Sequence, residues 1–383
     1  MPSRLAAKAR LHQNMPVTLV EPERMNGRSA DKLVRLVVMM GMLACAALVP
    51  GCMCGYATSV VLGELNLLVN AQPIDEALAG DDLTDHQKQR LRYAVRVRDY
   101  AAEQIGLHVG NSYQTFYNTE GGPLAYNLSA CPPDRLEPLT WTFPIVGTFE
   151  YLGFFDRAQA EAARDALINA GFDTFFYEVD AYSTVNIVPD PIYSSMLNRD
   201  DIDLAEVVFH ELTHNTVFSG DIVFNESIAT FVQRAAALRF LADTYGEDAE
   251  IVDRARGRHA DEDLFTEWID QLYDELRALY SSERSREARL AEREDIIEQA
   301  RIRFSDDYLP LLFEPENYSG VLNAEINNAV VLAYRRYHSD FDTFQQAFEE
   351  LGSSFPRLLS LFAEASQTPR PSAFIQEWLG ERP

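Results

Sequence analysis

Cysteine is scarce in this chain of 383 residues, which contains four cysteines and seven histidines. None of the cysteines has the spacing of a metal-binding cysteine cluster, so the sequence excludes a cysteine-based metal site. A disulfide between Cys54 and Cys131 would be compatible with an oxidising compartment, although no spacing pattern requires it.

Positive charge is also scarce: 33 Lys and Arg stand against 59 Asp and Glu, which gives a formal net charge of −26. The first 35 residues are basic, with seven Lys or Arg against three Asp or Glu, so the acidic excess lies in the remainder. Such a surface opposes binding to nucleic acid or to an anionic membrane. The sequence also lacks a Gly-rich phosphate loop and an internal repeat. Its 47% hydrophobic residues still indicate a globular protein with a sizeable core.

The apolar stretch at residues 36–49 is too short for a transmembrane helix, which needs about 20 residues. Basic residues precede it, as in a secretory signal peptide. The next residues, Val49-Pro50-Gly51-Cys52, resemble a bacterial lipobox and predict lipidation of Cys52; an uncleaved anchor and plain secretion are the alternatives. We therefore expect a leader and signal peptide over residues 1–51, and a mature lipoprotein anchored in the bacterial cell envelope and facing the periplasm.

The motif His210-Glu211-Leu212-Thr213-His214 lies in an apolar segment that predicts a buried helix. Two histidines four residues apart share one face of a helix, so both imidazoles can reach one metal ion. Glu211 points to one side of them, where it can contact a metal-bound water without being a ligand. The alternative is a pair of core histidines bonded to backbone carbonyls, but burying this group without a metal would be costly.

A tetrahedral zinc ion needs a third protein ligand. Glu226 lies in the first turn of a second predicted helix, which is where thermolysin-like peptidases, the gluzincins, supply their third ligand. Asp221 is the main rival, and a turn or supporting role is the other interpretation of that residue. The metzincin-type position is Gly220, which offers no ligand. The sequence therefore predicts Zn²⁺ bound by His210, His214 and Glu226.

The segments that precede this motif predict the fold. Helices are expected at about 58–107, followed by short strands and loops over 111–155, a helix over 156–170 and a strand from Phe175. In zincin folds an edge strand before the active helix holds the peptide by strand addition. We assign that role to residues 175–184, with Tyr182 at its end as a catalytic candidate; plain sheet packing is the alternative.

The overall prediction is an α+β, zincin-like metallopeptidase, mostly helical, with a small mixed sheet before the zinc helix. Residues 52–200 would form an N-terminal α+β part and residues 201–383 a helical part. Within the latter, residues 246–304 predict a long, charged, solvated helical arm, with binding to a protein partner as the alternative. Tyr337, after a further amphipathic helix, is a candidate for stabilising a developing oxyanion; core packing is the alternative.

The sequence resembles a bacterial family described as predicted aminopeptidases, which are zinc-peptidase-like envelope proteins. Besides the histidine motif, the resemblance is carried by Gly51-Cys52, Gly63-Glu64-Leu65, Ala71-Gln72-Pro73-Ile74, Asn111-Ser112-Tyr113, Leu136-Glu137-Pro138, Trp141-Thr142-Phe143-Pro144, Tyr151-Leu152-Gly153-Phe154-Phe155, Ala181-Tyr182-Ser183-Thr184, Asp190-Pro191, Gly220-Asp221, Asn225-Glu226 and Asn327-Asn328-Ala329. These segments follow one another in order over most of residues 50–350. The resemblance implies aminopeptidase-type hydrolysis of a peptide substrate.

The chain departs from that family pattern at three positions. Thr142 and Thr148 stand where relatives commonly carry cysteines, so no disulfide or thiol role is carried over. Gln233 stands where a glutamate is common, two helix turns beyond the Asn-Glu pair. This departure keeps a second hypothesis open, a non-catalytic envelope lipoprotein that acts as a binding or scaffold protein with a vestigial site. A zinc hydrolase acting on a non-peptide amide is a third.

Overall fold

The computed structural model describes residues 53–143, 147–184 and 188–380. The predicted signal segment and the predicted lipidation site at Cys52 lie outside these residues. Across the described ranges, no helix is both long enough and apolar enough to cross a membrane.

The described part of the chain contains twelve α-helices. They are α1 (Met53–Asn70), α2 (Ile74–Ala79), α3 (Asp85–Tyr100), α4 (Arg157–Asn169), α5 (Asp201–His214), α6 (Ile222–Tyr245), α7 (Glu250–Tyr280), α8 (Arg286–Arg303), α9 (Asn328–Arg335), α10 (Phe341–Glu350), α11 (Phe355–Ser366) and α12 (Pro371–Gly380). Single π-helical turns continue α3 over Ala101–Ile105 and α8 over Phe304–Tyr308.

Eight short strands in the same ranges form three small sheets. They are β1 (Gln72–Pro73), β2 (Thr115–Tyr117), β3 (Ala125–Cys131), β4 (Trp141–Phe143), β5 (Gly147–Phe149), β6 (Tyr151–Phe154), β7 (Asp173–Val179) and β8 (Ile192–Tyr193). The first sheet has the order β1-β2-β8, with β1 antiparallel and β8 parallel to β2. The second, β6-β3-β7, is antiparallel, and β4 pairs with β5. The predicted α+β class, mostly helical with a small mixed sheet before the histidine helix, is confirmed.

The antiparallel sheet separates a core from the face that looks toward the histidine helix. Leu128 of β3 and Phe176 of β7 lie on one face and pack against α4. Asn127 and Tyr177 lie opposite each other on the other face, where the Asn127 amide donates to the Tyr177 hydroxyl at 3.2 Å. Because side chains alternate along a strand, one face is buried by α4 and the other is available to the second half of the chain.

The two predicted parts share one hydrophobic core. Phe240 of α6 makes edge-to-face ring contacts with Tyr93 and Tyr100 of α3, at centroid distances of 5.7 and 5.1 Å. Phe209 of α5 joins the same group. The division at residue 200 therefore runs through a common core, and α3 packs directly against the helices that carry the histidine motif.

The charged segment 246–304 is not a single solvated helix, and that prediction was wrong. The chain turns at residues 281–285, and α7 and α8 pack together around a second core that contains Trp268, Ile297 and Phe304. Arg293 of α8 reaches Asp173, at the start of β7, at 3.1 Å. Each helix also carries an apolar stripe, which the sequence prediction missed because charged residues are so abundant. Two paired helices can bury these stripes, whereas a single helix cannot. The hairpin does brace the antiparallel sheet.

The positions at which a disulfide was considered form hydrogen bonds instead. Cys131 is a free, buried thiol that donates to backbone carbonyls, so it takes no part in a disulfide in this structure. Thr142 and Thr148 are direct cross-strand partners in β4 and β5, and their hydroxyls are 2.8 Å apart. At the two positions where relatives carry cysteines, this chain has a cross-strand hydrogen bond.

Gly63 of α1 is required by close packing, because a Cβ atom built on it would overlap the ring of Phe155. Gly55, in the same helix, has no atom within 4 Å of such a Cβ. We expect Gly63→Ala to lower the free energy of unfolding by about 1–2 kcal/mol, since overpacking outweighs the better helix propensity of alanine. The control Gly55→Ala should be neutral or stabilising by up to about 1 kcal/mol. Urea unfolding measures both, and equal stabilisation by the two would contradict the packing argument.

Candidate metal centre

Helix α5 is fixed at its start by a charged cap. The Asp200 carboxylate accepts hydrogen bonds from the backbone N–H groups of Ile202 and Asp203 at 3.0 and 3.1 Å. Arg258 of α7 bonds to Asp200 at 2.6 Å and to Asp203 at 2.8 Å. Carboxylates in a first turn complement the helix dipole, and the guanidinium neutralises them. The helix that carries the histidine motif is therefore held in register against α7.

His210, His214 and Glu226 converge on one point. The Nε2 atoms of the two histidines are 3.2 Å apart, and Glu226 Oε2 lies 3.3 Å from His210 Nε2 and 3.5 Å from His214 Nε2. A tetrahedral ion with bonds of about 2.0–2.1 Å places its ligand atoms about 3.3–3.4 Å apart. The three donor atoms therefore match three corners of such a tetrahedron. This group of three could hold a metal ion.

Gln233 fixes the tautomer of His210. Its Oε1 lies 2.7 Å from His210 Nδ1, which therefore carries the proton and leaves the Nε2 lone pair free for a metal. Gln233 lies on α6, two turns beyond Glu226. The Gln233 amide orients the His210 ring, a role that a carboxylate can also perform. Glutamine in place of the glutamate of the family pattern therefore preserves the orientation of the ring. His214 Nδ1, in contrast, is buried and has no hydrogen-bond partner in the described residues.

The structure distinguishes the two candidates for the third ligand. Asp221 caps the N-terminus of α6, where its carboxylate accepts from the Phe224 N–H at 3.1 Å. Glu226, one turn later, faces the histidines. The connection is tight because Asn225 Oδ1 accepts from both the backbone N–H and the hydroxyl of Ser219. Asp221 is thus a helix cap, and Glu226 completes the group.

Burial and neighbouring charges separate the pKa values of the two site carboxylates. Burial raises the pKa of Glu211 to about 7, against a partial lowering by His210. For Glu226 burial also acts upward, but His214 and His210 outweigh it and hold the pKa well below its usual range. Glu226 is therefore a carboxylate at neutral pH, as a metal ligand must be. Glu211 is not one of the three donor residues and remains available for proton transfer.

Tyr337 lies beside this group, as the sequence prediction requires. Its ring centroid is 6.2 Å from that of His210, and burial together with the charge of Glu226 raises its pKa well above the usual value. Its phenol therefore stays protonated and can donate a hydrogen bond. Arg336, the preceding residue, is 1% exposed, bonds to Glu150 and lies 5.4 Å over the ring of Tyr151. The turn after α9 thus presents a phenol next to His210, and its guanidinium is paired with Glu150.

Tyr182 does not join the donor triangle. Its hydroxyl donates to Glu64 of α1, and its ring stacks on Tyr193 at 6.1 Å. The predicted substrate segment 175–184 is a strand only as far as Val179, where β7 forms an edge of its sheet. Beyond it, Asp180 accepts from Ser195 through its carbonyl and pairs with Arg199 through its carboxylate.

Two carboxyl groups, Asp190 near Glu211 and Glu64 near Asp190, were not assigned from sequence. Asp190 is 2% exposed, and burial raises its pKa to about 7; its charge in turn raises the pKa of Glu211. Burial also raises the pKa of Glu64 to about 7. A signal for Glu64 was present in the sequence, because it is the only charged residue of the apolar helix α1. No comparable signal marked Asp190.

The chain matches the family described as "Putative aminopeptidase" over residues 55–373. No match was found among curated proteins or among solved structures.

Asp190 should make the stability of the metal-free protein depend on pH. Because its pKa is raised in the folded state, its contribution is fully present below about pH 4 and is lost as the pH rises through about 7. We expect wild type to lose up to about 4 kcal/mol more than Asp190→Asn between pH 4 and pH 8. Urea unfolding at several pH values measures this difference. Parallel curves for the two proteins would show that Asp190 does not titrate in this way.

Proposed function

Because the chain belongs to the family described as putative aminopeptidase, we propose that it hydrolyses peptides with a zinc ion held by His210, His214 and Glu226. The observation that carries the proposal is the donor triangle, whose sides of 3.2, 3.3 and 3.5 Å suit a tetrahedral ion. Two histidines and a carboxylate are also the donor set of many catalytic zinc sites. We assign the arrangement to the zincin-like class with a gluzincin-type third ligand.

When bound, zinc would polarise the scissile carbonyl and lower the pKa of a coordinated water toward neutrality. The carboxylate of Glu211 then accepts a proton from the attacking water and delivers it to the leaving amine. The phenol of Tyr337 donates a hydrogen bond to the oxygen on which negative charge develops. Gln233 keeps the His210 ring in the tautomer and orientation that a metal requires.

The proposal also covers how the substrate binds and where in the cell the protein is located. The free edge of β7 is where we propose that an extended peptide pairs with the protein. The mature chain would be held in the bacterial envelope through a lipid on Cys52, facing the periplasm. The strong negative charge supports the exclusion of nucleic acid as a partner. The α7–α8 hairpin also offers a charged outer surface to a protein partner.

Metal content tests the ligand set. We expect one zinc per chain in wild type by elemental mass spectrometry, none in His214→Ala, and affinity weakened about 100-fold or more in Glu226→Gln, which loses an anionic ligand. Asp221→Asn makes the same carboxylate-to-amide change at the start of the same helix and should leave zinc unchanged, since asparagine also caps helices. Well-folded wild type that binds no supplied zinc would favour the non-catalytic binding or scaffold protein.

Glu211→Gln tests the mechanism separately from the metal. The variant should keep zinc, because Glu211 is not part of the donor triangle, and should lose about 10²–10⁴-fold in kcat on a peptide that wild type cleaves. Steady-state kinetics and metal analysis on the same preparation give both values. Retention of full activity by a zinc-loaded Glu211→Gln protein would refute the proposed role of Glu211 as the base.

A further inference from the structure

We propose that Glu64 and Asp190 form a subsite beside the metal centre that binds the free α-ammonium group of the substrate. The inference rests on the proposed function and makes it more specific, because such a subsite would restrict cleavage to the first residue of a peptide. In a peptide cut after its first residue, the amine nitrogen is only two bonds from the scissile carbonyl carbon. An anionic group that selects this amine must therefore lie next to the ion that polarises the carbonyl.

Hydrogen bonds connect Asp190 to the end of the histidine helix. The Asp190 backbone N–H donates to Ser112 Oγ at 3.2 Å, and Asn215 Nδ2 reaches the same oxygen at 3.4 Å. Asn215 directly follows His214. The Asp190 side chain accepts from the Thr184 N–H at 3.1 Å. These contacts place Asp190 beside the end of the helix that carries His210 and His214.

The second observation is the absence of a counter-ion. Neither Glu64 nor Asp190 forms an ion pair with Lys or Arg anywhere in the described residues, although the chain forms many such pairs elsewhere. The two internal segments outside those residues, 144–146 and 185–187, contain no basic residue in the sequence. Buried carboxylates normally have a paired cation. A ligand ammonium would supply the missing charge.

A third observation is an unsatisfied phenol at the same place. Tyr113 is 1% exposed, and its hydroxyl has no hydrogen-bond partner among the described residues. Its pKa is raised well above the usual value by burial and by the nearby charges of Glu211 and Asp190. Its backbone N–H donates to the Asp190 carbonyl at 2.6 Å, with Tyr113 in the left-handed region at φ 60°. A buried hydroxyl without a partner is costly and is one a bound ligand could satisfy.

The subsite is open on the side of α1. Glu64 is only partly buried, whereas Asp190 is fully buried. The ligand of the proposed subsite is expected to be an organic cation and not a second metal ion. The described residues provide a metal-ligand group of three only at the histidines.

The same arrangement assigns a role to Tyr182. Its hydroxyl donates to Glu64, so it positions that carboxylate and does not contact the reacting atoms. Tyr182→Phe should therefore raise KM for substrates with a free amine and leave kcat nearly unchanged. A catalytic role would lower kcat on free and blocked substrates alike.

The test compares binding of leucine hydroxamate and N-acetyl-leucine hydroxamate to the full chain by calorimetry, with zinc content measured on each sample. Wild type should bind the free amine at least about 30-fold more tightly than the acetylated form. In Glu64→Gln and Asp190→Asn, which keep hydrogen-bond acceptors, this ratio should fall toward one with zinc unchanged. The control Asp165→Asn alters an exposed carboxylate of α4, away from the proposed peptide strand, and should keep the wild-type ratio. Hydrolysis of leucyl-7-amido-4-methylcoumarin and its N-acetyl derivative provides a second readout.

The outcomes separate the subsite from the proposed function. Equal binding of the two hydroxamates by wild type, or a ratio unchanged in both subsite variants, would overturn the subsite and leave zinc-dependent hydrolysis intact. Wild type that carries zinc but neither binds a hydroxamate nor cleaves any peptide would overturn the proposed function as well.

Discussion

The close approach of helices α5 and α6 is the constraint on which the site depends. It brings Glu226 Oε2 to 3.3 Å from His210 Nε2, and the same pair of helices places Gln233 against the other nitrogen of that ring. The approach is fixed by the Ser219–Asn225 contacts in the short connection and by the Asp200 cap at the start of α5. Because both helices are buried on most sides, neither can rotate without exposing core residues, and the donor atoms are held before any metal arrives.

Charged side chains are unevenly distributed around the candidate metal centre. The outer ends of α5 and α7 are linked by arginine–carboxylate pairs, whereas Glu64 and Asp190 form no such pair within the described residues. The turn after α9 provides a protonated phenol at Tyr337 beside His210. Under the proposed function, a substrate would meet negative potential at its amine end and a hydrogen-bond donor near its carbonyl.

The sequence prediction for residues 246–304 was wrong because a charged pattern and an apolar pattern overlap there. Over 246–304 the charged residues indicated solvent exposure, yet each helix also carries an apolar stripe, and the antiparallel pairing of α7 with α8 buries Trp268 and Ile297 together. The contacts of Tyr182 were not predictable from the sequence for a different reason. A strand that ends at Val179 gives no information about where a side chain three residues later points, and the contact with Glu64 joins positions 118 residues apart.

The sequence by itself determined the α+β class and the helix that carries the histidine pair, because helix periodicity and residue spacing are local properties of the chain. Motifs along residues 50–350 indicated the family. For the third ligand the sequence left two candidates, Glu226 and Asp221, since both lie near the start of α6. Only the tertiary structure shows which of them faces the histidines. It also revealed the environment of Glu64 and Asp190. They are 126 residues apart in the chain, so the proximity of Asp190 to Glu64 and to Glu211 depends on packing, and the lack of a paired Lys or Arg becomes visible only in the described structure.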